Sequence, residues 1–108
     1  MAKPISVTDQ EFPEVVLQAD GLVMVDFWAT YCAACRLVAP VIDELAADYA
    51  GKAAIVKANV DDAPEHTTQY QVRSTPTFIF FRNGQEVDRI VGAGKKPAYT
   101  AKLDALLS

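Results

Sequence analysis

The sequence predicts an α/β fold, a single mixed β-sheet between two layers of helices. Three observations carry this expectation. Strand-like runs alternate with segments of helical periodicity, so strands separated by helices are expected to run parallel with right-handed crossovers. The run Leu22-Val-Met-Val-Asp-Phe-Trp-Ala29 is apolar on both faces except at Asp26, as a central strand covered on both sides requires. Asn83-Gly84 lies between two further strand-like runs and is a hairpin signal, which adds an antiparallel pair.

In chain order, Lys3 to Val7 is a short first strand. Thr8-Asp-Gln-Glu11 has the form of a capping box, but Pro13 follows, so a turn is expected before a helix from about Pro13 to Ala19. Asp20-Gly21 ends that helix, and Leu22 to Ala29 is the second strand. The longest helix is expected from about Cys35 to Tyr49, with Val38, Val41, Ile42, Leu45 and Tyr49 inward and Arg36, Asp43, Glu44 and Asp48 outward. Pro40 sits inside it and should kink it, because its ring removes a donor. Ala53 to Val60 is the third strand. Asp62-Ala-Pro-Glu65 reads as an N-cap with an acid at N3, opening a helix to about Tyr70. Thr77 to Arg82 and Glu86 to Val91 form the hairpin. A last helix, Pro97 to Leu107, turns Tyr99, Leu103, Leu106 and Leu107 inward. Lys95 and Lys96, just before it, are expected on a solvated surface.

The chain has 108 residues, room for one domain over residues 1–108. Hydrophobic residues make up 51% against 22% charged, enough for a packed core. A net charge of −4 without clustered Lys and Arg argues against nucleic-acid binding. No apolar run approaches membrane-spanning length, and the start has no apolar leader. A cytoplasmic, reducing setting and a monomer are the expectations. Two cysteines cannot supply a closed zinc site, and the single histidine, His66, is expected to be a solvated helix residue.

Those two cysteines, Cys32 and Cys35, sit two residues apart, directly after the central strand. At a strand-to-helix junction a C-x-x-C can close a small disulfide ring, and the helix N-terminus favours negative charge on the first sulfur. Thiol-disulfide exchange needs an attacking thiolate and a second thiol that resolves the mixed disulfide. Helix geometry makes Cys32 the attacker and Cys35, one turn deeper, the shielded resolving thiol. A carboxylate buried among Val, Met, Phe and Trp is costly to charge, so the pKa of Asp26 should rise.

At this point the chain closely resembles the thioredoxin family over essentially its whole length. The residues that carry the resemblance are Val25-Asp-Phe-Trp-Ala-Thr30, the Cys32/Cys35 pair with Arg36, Pro40, Lys57, Asn59-Val-Asp61, Thr75-Pro-Thr-Phe78, Asn83-Gly84 and Gly92. C-x-x-C beside a βαβ pattern is itself a recognised signature of that family. The resemblance implies a five-stranded mixed sheet flanked by four helices and a cis Thr75-Pro76 bond. It implies proton transfer between Asp26 and Cys35 with Lys57 nearby, and Trp28 packed around the disulfide. It also implies substrate docking on a flat apolar rim of Tyr31, Ala33, Ala34, Thr75, Pro76, Val91, Gly92 and Ala93, where an extended peptide adds as a strand. Protein disulfides would be the substrates and a thioredoxin-reductase-type flavoprotein the reductant, with no cofactor beyond the cysteine pair.

The active pair departs from the family pattern, reading Tyr31-Cys-Ala-Ala-Cys35 where Trp-Cys-Gly-Pro-Cys is usual. Ala34 restores an N–H that proline lacks, and the expectation is that it points at the Cys32 sulfur. A hydrogen bond to a charged group is worth about 1.5–3 kcal/mol, and 30 mV corresponds to about 1.4 kcal/mol for two electrons. A potential less reducing by a few tens of millivolts is therefore expected. Other classes remain open: an oxidant or isomerase relative, a non-enzymatic interaction module, and metal or iron–sulfur binding through the cysteines of a dimer.

Overall fold

The computed structural model describes residues 2–108. Its strands are β1 (Ile5–Val7), β2 (Leu22–Trp28), β3 (Ala53–Asn59), β4 (Thr77–Arg82) and β5 (Gln85–Val91). The helices are α1 (Ala33–Asp48), α2 (Pro64–Gln69) and α3 (Lys96–Leu107), with a π-helical segment at Pro13–Leu17. One five-stranded sheet runs in the order β1-β3-β2-β4-β5. The expected mixed sheet with four helical segments is therefore present. No helix among the described residues is long and apolar enough to cross a membrane.

The apolar run of β2 becomes the central strand, parallel to β3 and antiparallel to β4. Alternation sends Leu22 and Met24 to one face and Val23, Val25 and Phe27 to the other. The first face packs with Ile42 and Leu45 of α1, Phe78 and Phe80 of β4, and Tyr99 and Leu103 of α3. The second packs with Phe12, Val16, Val56, Ile79 and Phe81. By the same alternation Asp26 shares the face of α1 and α3, and it is only 2% exposed.

Three expectations need correction here. Strands separated by helices were expected to be parallel, yet β4, which follows α2, runs antiparallel to β2. The physical reason is length. A helix of six residues rises only about 9 Å, too little to carry the chain back along a seven-residue strand of about 23 Å. The first helix is a π-helical segment instead, closed by the Gln18 N–H donating to Pro13 O at 2.9 Å. Leu107 lies exposed rather than buried, past the last turn that touches the core. Lys96 lies on the surface as expected, and there its Nζ is 3.0 Å from Glu44 and 2.8 Å from Asp48, tying α3 to α1. Pro40 lies within α1, which continues to Asp48, and Lys95 is exposed as expected.

The start of α2 departs furthest from the local reading. Asp62 is not its cap: the N-cap is Ala63, without a side-chain hydrogen bond. Asp9, in the loop after β1, caps the helix from 56 residues away. Its Oδ2 accepts the Glu65 N–H at 2.9 Å and its Oδ1 accepts the His66 N–H at 3.1 Å. Asp9 Oδ1 also lies 2.7 Å from His66 Nδ1. His66 is consequently buried, not solvated, with its ring stacked on Phe12 at 4.1 Å between centroids. Partial burial pushes the Asp9 carboxyl up, but the amide bonds from Glu65 and His66 and the His66 ring outweigh it and hold the pKa below its usual value. Asp9→Ala should therefore cost about 1–2 kcal/mol, the usual penalty for losing an N-cap, read by urea unfolding at neutral pH. Because the folded carboxyl has the lower pKa, this contribution is present above the unfolded value and fades as pH falls through the folded one.

Candidate functional site

The cysteines sit where β2 hands over to α1. Cys32 is the N-cap of α1, in extended conformation, and its sulfur accepts the Cys35 N–H at 3.1 Å. Cys32 and Cys35 are joined as a disulfide with Cα atoms 5.3 Å apart, within the usual range. Cys35 is 5% exposed whereas Cys32 is more accessible, so a partner can reach only one of the two sulfurs easily. The expected donor to the Cys32 sulfur was Ala34; the structure gives that place to Cys35. An N-cap side chain accepts from N2 or N3, and here the N3 amide takes the position. Ala34 at N2 keeps a first-turn N–H without an intrahelical acceptor.

Backbone contacts fix the reactive turn. The Cys32 N–H donates to Ala29 O at 3.2 Å, and the Arg36 N–H donates to Cys32 O at 3.3 Å. The Arg36 guanidinium donates to Thr30 O at 2.8 Å. Sequence reasoning used Arg36 only as an outward residue and a family marker. Cys32 Sγ also lies 3.4 Å from Thr75 O, so in the dithiol form the thiol has an acceptor on the opposite wall. The Thr75-Pro76 peptide bond is cis, as the resemblance implied.

Asp26 lies in β2, on the sheet face that α1 covers. Its Oδ1 is a buried polar atom without a hydrogen-bond partner among the described residues. Burial pushes its pKa up to about 7, against a smaller lowering by the charge of Lys57. The two residues are register partners in β2 and β3. The Lys57 ammonium lies over the Trp28 ring, 4.7 Å from its centroid, a cation–π contact. Both residues line a small cavity of about 130 Å³ with Ser6, Thr8, Asn59 and Asp62. The site therefore holds a carboxyl that can take or give a proton near neutrality on the same sheet face as α1.

Around the disulfide, the rim residues Tyr31, Ala33, Val91 and Ala93 are exposed, Tyr31 by 73%. Ala34, Thr75 and Gly92 are partly exposed and Pro76 is buried. Gly92 is held by its N–H donating to Pro76 O at 2.8 Å. Its φ of +91° is what requires glycine in the free chain, since a Cβ there would meet nothing within 4 Å. The rim continues into a groove of about 260 Å³, lined by Tyr31, Val60, Thr67, Val72, Arg73, Ser74 and Thr75. Sequence reasoning missed the residues from α2 and the following turn. With Val60, which follows β3, they come from three separate stretches, and only the nearness of Arg73 and Ser74 to Thr75-Pro76 hinted at them. Leu37, 82% exposed one turn along α1 from Ala33, was also missed. Among the described residues no group of three His, Cys, Asp or Glu side chains could hold a metal ion.

A family model described as Thioredoxin matches residues 3–105. The chain is 49% identical over 102 residues to "Thioredoxin M-type, chloroplastic" of Spinacia oleracea, covering 94% of this chain and 56% of that protein. It is 46% identical over 104 residues to "Thioredoxin 1" of Nostoc sp., covering 96% and 97% of the two chains. Against "Thioredoxin" of Synechocystis sp. the identity is 44% over 107 residues, covering 99% and 100%. The chain thus spans little more than half of the spinach relative but nearly the full length of the other two. The strand-to-helix cysteine pair, the buried carboxyl in the strand that leads to it and the cis-proline opposite agree with these likenesses, and the chain belongs to the thioredoxin family.

Proposed function

We propose that this protein is a thiol-disulfide oxidoreductase that carries two electrons through the Cys32/Cys35 pair. The single observation that carries this reading is the asymmetry of the pair. The accessible Cys32 sulfur sits at a helix N-cap and accepts an amide N–H, while Cys35 is buried one turn deeper. In the reducing direction the Cys32 thiolate attacks a substrate disulfide, forming a mixed disulfide and releasing one substrate thiolate. Cys35 then attacks Cys32 Sγ, closing the ring and expelling the second substrate thiolate. Asp26 is suited to accept the Cys35 proton, with Lys57 adjusting its charge; Trp28 and Pro40 are supporting residues that shape the wall and helix around the pair. Tyr31, Ala33, Ala34, Thr75, Pro76, Val91, Gly92 and Ala93 receive the substrate peptide. Protein disulfides are the substrates and a thioredoxin-reductase-type flavoprotein the source of electrons. A monomer in a reducing, cytoplasmic setting suits this cycle, since the pair must be returned to the dithiol. Reduction of insulin, followed as turbidity and driven by such a reductase, tests the reading. No turbidity above the uncatalysed rate would leave a passive binding module as the better description.

The redox poise is proposed to be less reducing than that of a variant carrying Gly-Pro at positions 33 and 34. The Ala34 N–H makes no bond to the Cys32 sulfur, which accepts from Cys35, but as a first-turn amide that proline would lack it adds to the positive end of the helix where the Cys32 thiolate forms. Equilibration against glutathione should place the native chain a few tens of millivolts above that variant, the equivalent of about 1–2 kcal/mol of charge stabilisation at a partly buried helix N-terminus. A value equal to or below the variant's refutes it.

A further inference from the structure

The loop from Val91 to Gly94 carries three residues of the substrate rim, and two hydrogen bonds hold it. At one end the Gly92 N–H donates to Pro76 O. At the other the Gly94 N–H donates to Tyr99 Oη at 2.8 Å. Gly94 is exposed, whereas Tyr99 is 0% exposed. An outer loop amide is thus anchored on a phenol fixed within the core. The Tyr99 ring meets Phe78 edge-on, with centroids 4.7 Å apart, and Phe78 is the β4 partner of Asp26. Helix α3, which carries Tyr99, is itself fastened to α1 through Lys96.

Gly92-Ala93-Gly94 is a stretch that loses much conformational entropy on being ordered. Without its second anchor, a peptide pairing beside Pro76 must order this loop as it binds, at the expense of affinity. From this geometry we infer that Tyr99 is a positioning residue for substrate: its hydroxyl oxygen holds the Gly92–Gly94 loop in the shape that receives an extended peptide. The inference rests on the docking rim proposed above. Burial pushes the Tyr99 pKa up, the Gly94 bond opposes this and the Asp26 charge adds to it, so the phenol stays neutral.

Tyr99→Phe removes one oxygen and keeps the ring in place. The expected result is a rise in KM for insulin of about three- to tenfold, the factor that one lost neutral hydrogen bond corresponds to, with kcat unchanged. The rate with hydroxyethyl disulfide should stay at the native value, because so small a substrate does not pair with the loop. Hydrogen exchange of the Gly94 amide should accelerate while core amides keep their protection. An unchanged KM overturns the inference, and so does a parallel fall in kcat and in the hydroxyethyl disulfide rate, which marks a purely structural role. Native protein that turns over hydroxyethyl disulfide but not insulin overturns the docking rim itself, and this inference with it.

Discussion

Replacing Cys32 by serine is expected to reduce insulin turnover to the uncatalysed rate, while the fold is kept and the unfolding midpoint stays close to that of the reduced native chain, which likewise lacks the Cys32–Cys35 cross-link. The nucleophile in exchange is a thiolate, and an alcohol at the same N-cap ionises far outside the working pH range. Cys35→Ser should behave differently. It keeps the accessible attacker but removes the buried group that resolves the intermediate, so each molecule should react once and stop as a mixed disulfide. Mass spectrometry of that variant mixed with an oxidised protein substrate should show one adduct, located at Cys32. No adduct on Cys35→Ser, or full turnover by Cys32→Ser, would mean that Cys32 is not the attacking thiol.

Asp26→Asn is expected to reverse part of the pH dependence of stability. The Asp26 carboxyl has a pKa near 7 in the folded chain and an ordinary value near 3.9 once unfolded. Between these values the native state binds more protons than the unfolded state, so stability falls as pH rises through this window and levels off above it. The asparagine cannot ionise and escapes that loss. Its stability relative to the native chain should grow by about 4 kcal/mol between pH 4 and pH 8, the linkage equivalent of about three pKa units. Urea unfolding at a series of pH values reads this directly. A difference between the two chains that does not change with pH would show that Asp26 titrates normally despite having an unpartnered oxygen in the core.

The redox site was legible because its parts are local in the chain. Cys32 and Cys35 lie one turn apart on the first turn of a helix that follows an unbroken apolar strand. The oddity of Asp26 in that strand is visible without knowing what surrounds it. The Thr75-Pro76 pair and Gly92 became readable only through resemblance, since nothing in their spacing says that they face the disulfide.

Other features were illegible because the partner of each group lies far along the chain. Asp62 has the form of a cap for α2, yet Asp9 does that work, and in doing so it draws His66 from the expected solvent into the core. Lys96 opposes the dipole of its own helix, and only the neighbouring carboxylates of α1 account for its place there. Tyr99 reads as one more core aromatic until its hydroxyl is seen holding Gly94.

The amino-acid order alone determined where strands and helices form, which strand is central, and that two sulfurs can meet, because periodicity and short-range geometry act within a few residues. Tertiary packing decided the direction of β4, the cap of α2, the burial of His66 and the anchoring of the substrate loop. Each of those depends on a hydrogen bond, an ion pair or a length constraint between segments that only the folded chain brings together.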